Sequence, residues 1–348
     1  MVKNSFITFF LILLAFVGGL AASKVPDYFF EENGELLIPT IINPMAQKKE
    51  PPLQRYAIPR LKELPISTEK LLAYEELDKT SSYTSYLFTW ETLGKVMTGQ
   101  VNIPTKIEKE NPKTIVLLRG YVPEEIYETG VGTANAAAVF AKNGYVTVAP
   151  DFFGYGGSDP EPIDTWQARF EKPQIVMELL QSIAQAGIQV GETQLISSIN
   201  VGIWAHSNGG QIALSTLESY ELQTPTTLWA PVSAPFPYAI QFFSDELADE
   251  GKTQRKWISI FEDTYDTFDF SVTQHITQLK APLQFHHGEL DDAAPIAWSN
   301  EFVEKIETQN EDLPLTYYTY KNTDHNMQPS WNTAISRDLS FFKEYLEQ

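Results

Sequence analysis

Serine, histidine and carboxylate side chains are the groups whose types and spacing point to chemistry here, because the chain has no cysteine. Without a thiol there is no thiolate nucleophile, no thiolate metal site, no disulfide and no lipid-modified cysteine. One serine stands out by its setting. Ile203-Trp204-Ala205-His206-Ser207-Asn208-Gly209-Gly210 ends an apolar run and passes directly into the helical pattern of Gln211 to Tyr220. A serine at so sharp a strand-to-helix turn is exposed and strained, and the N–H groups that follow it face any negative charge forming beside its Oγ. Strand and helix cross at this point, so small residues are needed two before and two after the serine. Here they are Ala205 and Gly209, the first in place of the more common glycine.

A serine hydroxyl is a weak nucleophile at neutral pH and needs a base, itself oriented by a carboxylate. The five histidines are His206, His275, His286, His287 and His325. Serine, acid, histidine is the chain order for a nucleophile on this kind of turn, which places the base beyond the last core strand. Only His325 qualifies, in the polar loop from Tyr320 to Met327. His206 points away from Ser207 by strand alternation and reads as a supporting residue. His286 and His287 end a buried strand and read as satisfying backbone partners. No His-x-x-x-His helix or carboxylate cluster accompanies the histidines, so neither a metal nor a cofactor is expected. The acid belongs after the run ending at His287-Gly288, where Glu289, Asp291 and Asp292 compete. Spacing alone does not decide among them.

The elements that must position these groups follow from hydrophobic patterning. After Pro112, short apolar runs begin at Thr114, Gly144, Asn200, Thr226, Pro282 and Leu315, separated by helical stretches at Thr133–Asn143, Pro173–Ala186, Gln211–Tyr220, Ala297–Thr308 and Thr333–Leu346. Such alternation is the pattern of a mostly parallel sheet covered by helices on both faces. Tyr83 to Pro104 alternates apolar and polar residues around Gly94, which predicts a hairpin at the sheet's edge. Ala234 to Leu279 is too long for a connection in such a sheet and reads as an inserted lid. Its aromatics, among them Phe242, Phe243, Trp257 and Phe261, are candidates to line a substrate pocket, and its acidic residues read as a solvated face.

His287-Gly288-Glu289-Leu290-Asp291-Asp292-Ala293-Ala294-Pro295, together with the Ser207 and His325 segments, resembles the α/β-hydrolase superfamily. Gly144–Asp159 and Ala281–Ser299 are similar in particular to its prolyl-oligopeptidase-like branch, peptidase family S9. The likeness runs from about Tyr83 to the C-terminus. It implies a mostly parallel eight-stranded sheet with helices on both faces and an inserted lid, and it makes Asp291 the acid. It also implies that the loop after the first run, Arg119-Gly120-Tyr121, supplies an oxyanion donor, so that the Tyr121 and Asn208 N–H groups form the oxyanion hole. Arg119 replaces a histidine common in that branch; it reads as a structural arginine paired with a carboxylate, or as a ligand for an acidic group of the substrate. The β-propeller of the large peptidases in the branch has no room in the segment before Tyr83.

Residues 1–22 carry Lys3, an apolar run from Phe6 to Val17 and the small residues Gly18 to Ala22, which predict a signal peptide cleaved after Ala21 or Ala22, with an uncleaved membrane anchor as the alternative. Residues 23–80 hold seven prolines up to Pro65 and read as an extended arm; 81–348 form the catalytic domain, with the lid at about 234–279. A net charge of −20 disfavours nucleic acid and anionic lipid as partners. The expected function is that of an exported serine hydrolase cleaving a small ester or peptide through an acyl-enzyme. A non-catalytic binding protein on the same scaffold is the alternative, disfavoured because every triad position is filled.

Overall fold

The computed structural model describes residues 50–348 apart from 109, 245, 246 and 348. The predicted signal segment and the first part of the arm, 23–49, lie outside the described residues. Eleven strands of the described chain form one sheet: β1 Leu71–Lys79, β2 Tyr83–Thr92, β3 Lys95–Pro104, β4 Thr114–Leu118, β5 Val146–Pro150, β6 Ile188–Val190, β7 Gln194–Ile196, β8 Val201–His206, β9 Thr226–Trp229, β10 Leu283–Gly288 and β11 Leu315–Tyr320. Their order is β11-β10-β9-β8-β4-β5-β3-β2-β1-β6-β7. From β5 across to β11 all neighbours are parallel.

The apolar runs become strands because a parallel sheet between two helical layers is buried on both faces. Every position of β4, β5, β9 and β10 is buried. One face is covered by α1 (Ala134–Lys142) and α8 (Trp331–Leu346), with Phe140, Trp204, Trp229 and Phe342 packed between. The other is covered by α3 (Lys172–Gln185), α4 (Asn208–Tyr220) and α7 (Ile296–Gln309), which contribute Leu179, Leu214, Leu217 and Phe302. A short α2 (Thr165–Phe170) precedes α3, its N-terminus capped by the Asp164 carboxylate on the N–H groups of Trp166 and Gln167.

The expected count of eight strands falls three short. β2 to β5 and β8 to β11 are the eight; β1, β6 and β7 extend the sheet beyond the hairpin. The β2–β3 hairpin turns at Leu93 and Gly94, both at positive φ, but it lies inside the sheet and not at its edge. β1 comes from the segment read as an extended arm. The prolines stop at Pro65, and the nine residues after Lys70 pair with both β2 and β6.

The insertion contains α5 (Tyr238–Gln241), α6 (Lys252–Glu262) and three single-turn 3-10 segments between Thr267 and Gln278. Phe236, Phe261 and Phe270 pack with Phe170 of α2 and with Tyr56 and Leu61, a separate apolar cluster that ties the insertion to residues 53–64. Ile58 N–H donates to Asp269 O at 2.8 Å across the same contact. No helix of the described residues is long and apolar enough to cross a membrane.

Candidate active site

Ser207 sits between β8 and α4 with φ 55° and ψ −120°. Positive φ is costly for a residue with a Cβ, and it persists only where the surroundings fix it. Three backbone hydrogen bonds do so: Ser207 N–H donates to Trp229 O at 2.9 Å, while Ser207 O accepts from Gly210 N–H at 2.9 Å and Val232 N–H at 3.0 Å. Two residues on, a Cβ at Gly209 would stand 2.1 Å from Leu118 O and 2.6 Å from Arg119 O, so only glycine lets α4 cross the end of β4. On the strand side Ala205 is fully buried. Asn208 is the first residue of α4, where N–H groups have no partner within the helix.

The loop after β4 passes over the serine. A Cβ at Gly120 would lie 2.9 Å from Ser207 Cβ. Arg119 is buried: Nη1 donates to Gly120 O at 3.0 Å, Nη2 donates to Asp151 O at 2.8 Å, and the guanidinium lies 4.5 Å and 4.0 Å from the ring centres of Tyr127 and Tyr155. The arginine is structural, as one reading had it, but its partners are two carbonyls and two aromatic rings in place of a carboxylate. The nearby Asp151 carboxylate is taken by the hydroxyls of Thr98, Tyr127 and Thr129. Because the C=O and N–H of a trans peptide point in opposite directions, holding Gly120 O toward Arg119 turns the Tyr121 N–H the other way. The Tyr121 side chain is exposed.

His325 and Asp291 meet directly. His325 Nδ1 lies 2.8 Å from Asp291 Oδ2 and 3.0 Å from Oδ1. A Cβ at Gly288 would come within 2.2 Å of Thr323 O, so this glycine lets the end of β10 lie against the loop that carries His325. Leu290 N–H donates to Thr323 O at 2.9 Å across the same junction. Asp291 Oδ1 accepts from the N–H groups of Ala293 at 3.0 Å and Ala294 at 2.8 Å, and His287 Nε2 is 3.1 Å from Oδ2. Burial alone would raise the Asp291 carboxyl, but the hydrogen bonds from His287, His325 and Ala294 outweigh it and hold it well below the ordinary carboxylate range. Glu289 and Asp292 are both exposed and do not enter this network.

The other histidines support the frame. His206 Nε2 lies 3.0 Å from His325 O, and the two rings are 4.8 Å apart, so His325 rests on the residue that precedes Ser207. Burial, reinforced by the neighbouring His325, lowers the His206 pKa to about 4 and keeps it neutral, able to donate to that carbonyl. His287 is held by Ser299 Oγ at 2.8 Å and Ala294 O at 2.8 Å. His286 differs from the expectation of backbone partners: its ring binds Asp338 Oδ1 at 2.9 Å and Tyr320 Oη at 2.6 Å. Among the described residues no group of three or more His, Asp or Glu side chains is arranged to hold a metal ion.

A cavity of about 310 Å³ opens beside Asn208 and follows α4 past Gln211 to Ser215. Of the insertion aromatics named as pocket candidates, Trp257 lines it. Phe261 is buried in the cluster beneath, and Phe242 and Phe243 pack on Trp298. The cavity also receives Arg169 and Lys172, which sequence reasoning passed over. Their only signal was a pair of cations in Trp166-Gln167-Ala168-Arg169-Phe170-Glu171-Lys172, a stretch that fits no motif.

Comparison with known proteins agrees with this architecture. No curated protein sequence is similar enough to the chain to count as a match. Among solved structures, a puromycin-hydrolysing peptidase of Mycobacterium tuberculosis superposes with a TM-score of 0.56 at 16% identity, over 77% of this chain and 40% of that one. Est1E of Butyrivibrio proteoclasticus, solved with ferulic acid bound, gives 0.55 at 12% identity, over 75% of this chain and 99% of that one. An esterase of Pyrococcus furiosus gives 0.52 at 15% identity, over 80% of this chain and 100% of that one. The chain thus spans well under half of the peptidase and nearly all of the two shorter proteins, and at these identities the likeness is one of fold: the α/β-hydrolase fold. The sequence model of the prolyl oligopeptidase family, peptidase S9, matches residues 132–348, a span that begins ahead of α1 and takes in the turns carrying Ser207, Asp291 and His325. With that match across most of its length, the chain belongs to the prolyl oligopeptidase family, a family of serine hydrolases.

Proposed function

We propose that the chain hydrolyses a small ester or peptide bond through an acyl-enzyme formed on Ser207, with His325 as base and Asp291 as its orienting acid. The observation that carries this reading is the convergence at one sheet edge of a strained serine, a histidine leaning on that serine's neighbour, and a buried ionised carboxylate on the histidine's Nδ1. Ser207 Oγ attacks the carbonyl carbon as its proton passes to His325 Nε2. Asp291 stays ionised throughout, accepts from Nδ1–H and stabilises the imidazolium. The oxyanion faces the N–H groups of Asn208 and Tyr121, the second aimed by Arg119 through Gly120 O. Collapse breaks the bond to the leaving group, which takes the proton from His325; water then repeats the cycle on the acyl-serine.

Ester and peptide bonds are both open to this chemistry, and the choice between them lies in the pocket. In steady-state hydrolysis of p-nitrophenyl esters and aminoacyl amides, Ser207→Ala should cost on the order of 10³-fold or more in kcat while the far-ultraviolet spectrum stays that of the parent. Activity within tenfold of the parent would move the nucleophile elsewhere. The positive, apolar and small-residue pattern of residues 1–22 further supports export. N-terminal sequencing of the protein recovered from its host should begin at Ala22 or Ser23, and an intact Met1 on material outside the cell membrane would refute cleavage.

A further inference from the structure

The cavity beside Asn208, the residue after Ser207, holds a cation that the acyl-transfer chemistry does not use. Asn208, Gln211 and Ser215 of α4 form one wall, Arg169 of α2 another, and Trp257 of the insertion lines it as well. Arg169 is partly buried, and the hydrogen bond it makes goes to a neutral amide, from Nη2 to Gln211 Oε1. Among the described residues no carboxylate lies within ion-pair distance of it. Burial lowers its pKa to about 10, with no acidic neighbour offsetting the effect. Lys172, on the same cavity, is paired with Glu161 at 3.2 Å, so that the carboxylate lining the cavity is taken by the lysine and not by Arg169.

An arginine drawn partly out of water without an anion costs desolvation energy that one hydrogen bond to an amide returns only in part. This protein has 45 acidic residues, yet none of those among the described residues is placed on Arg169. The planar fork of a guanidinium matches a carboxylate with two parallel hydrogen bonds, a geometry that an amide oxygen meets only in part. Its partner Gln211 lies four residues beyond Ser207, roughly 6 Å along the helix axis at 1.5 Å per residue. An anion held there sits a few bonds away from a carbonyl at the serine. The overall charge of −20 repels anions at long range, so any preference for one must be made locally by contacts of this kind.

We propose that Arg169, backed by Lys172, binds a carboxylate of the substrate, so that the enzyme prefers esters or amides carrying an anionic group within a few bonds of the scissile carbonyl. The proposal rests on the reading of Ser207 as the nucleophile. It does not choose between the acyl and leaving-group sides, and the experiment separates them. The first arm compares p-nitrophenyl hemiglutarate with the isosteric p-nitrophenyl 5-methylhexanoate; the second compares 4-carboxyphenyl acetate with 4-isopropylphenyl acetate. In one arm the anionic-to-neutral ratio of kcat/KM should fall at least about tenfold in Arg169→Met, mostly through KM, with Arg169→Lys between the two. An unchanged ratio in both arms overturns the proposal while leaving Ser207 hydrolysis of the neutral esters, and the nucleophile reading, intact. If Arg169→Met does not fold, inhibition of the unmodified enzyme decides: glutarate should inhibit at least about tenfold more strongly than glutaramide, and equal inhibition overturns the proposal. If the enzyme turns over neither esters nor aminoacyl amides, the hydrolase reading fails separately. Glutarate binding by calorimetry, weakened in Arg169→Lys, then supports the anion site, and no binding overturns it.

Discussion

Asp291 differs from its neighbours Glu289 and Asp292 in what it can accept. Its side chain is fully buried and takes two backbone N–H groups on one oxygen and two imidazoles on its carboxylate, which hold its pKa well below the ordinary carboxylate range. Asp292, one residue on, is exposed. Asp291→Asn puts an amide opposite His325 Nδ1 and favours the wrong tautomer, so kcat should fall by up to roughly 10⁴. Asp292→Asn should change kcat by less than about threefold, as expected of a surface change away from the network. Steady-state kinetics at neutral pH distinguishes the two, and the reverse ranking would move the acid to Asp292. The choice was not legible from spacing, since three carboxylates stand within four residues; it followed from the family resemblance, and burial accounts for it physically. Ser207 and His325 stand out in the sequence by local signatures, the small-residue turn for one and a position past the last core strand for the other. Arg169 had none. Its meaning depends on which acids fail to reach it, and that is a property of the folded chain.

At the scale of elements, α4 connects Ser207 to the core and carries an unusual buried group. Glu218 is fully buried near the helix's C-terminal end, neither carboxyl oxygen has a hydrogen-bond partner among the described residues, and desolvation drives its pKa well above the ordinary glutamate range. Below about pH 4 the group is protonated in both folded and unfolded chains, and its contribution is fully present. As pH rises the unfolded chain ionises while the folded one does not, and stability is lost progressively toward the raised folded pKa. Glu218→Met removes that linkage. Its thermal midpoint relative to the parent should therefore climb steadily from about pH 4 to pH 8. A difference independent of pH would mean that Glu218 is ionised and paired in the fold.

Element reading succeeded where burial is two-sided and failed where it is one-sided. β4, β5, β8, β9 and β10 are nearly continuous buried runs because helices cover both faces, whereas β11 at the edge is mostly half-buried or exposed. In β1 seven of nine side chains are exposed, six of them in an unbroken stretch, with two register shifts against β2, so its alternation is blurred. β6 and β7 are three residues each and too short to show a period. The insertion was legible as an interruption, but the destinations of its aromatics were not. Phe261 and Trp257 lie four residues apart on α6, yet one is buried against Phe236 and Phe270 and the other faces the cavity.

Across the whole molecule, every group assigned to the chemistry is delivered by a loop at the carboxyl end of a parallel strand: Gly120 and Tyr121 after β4, Ser207 after β8, Asp291 after β10 and His325 after β11. Such loops share one rim of the sheet, which is where open parallel sheets place their ligands. A chain of net charge −20 arranges its local cations against this trend, with Arg119 buried beside the Gly120–Tyr121 loop and Arg169 in the cavity beside Asn208. The central claim is that Ser207 is a serine activated by His325. It is tested most directly by exposing the intact protein to a fluorophosphonate probe and mapping the modified peptide by mass spectrometry. A single adduct on Ser207 is predicted, lost in Ser207→Ala and slowed on the order of 10³-fold or more in His325→Ala. An adduct on another residue, or labelling of Ser207 at the parent rate without His325, would contradict the account.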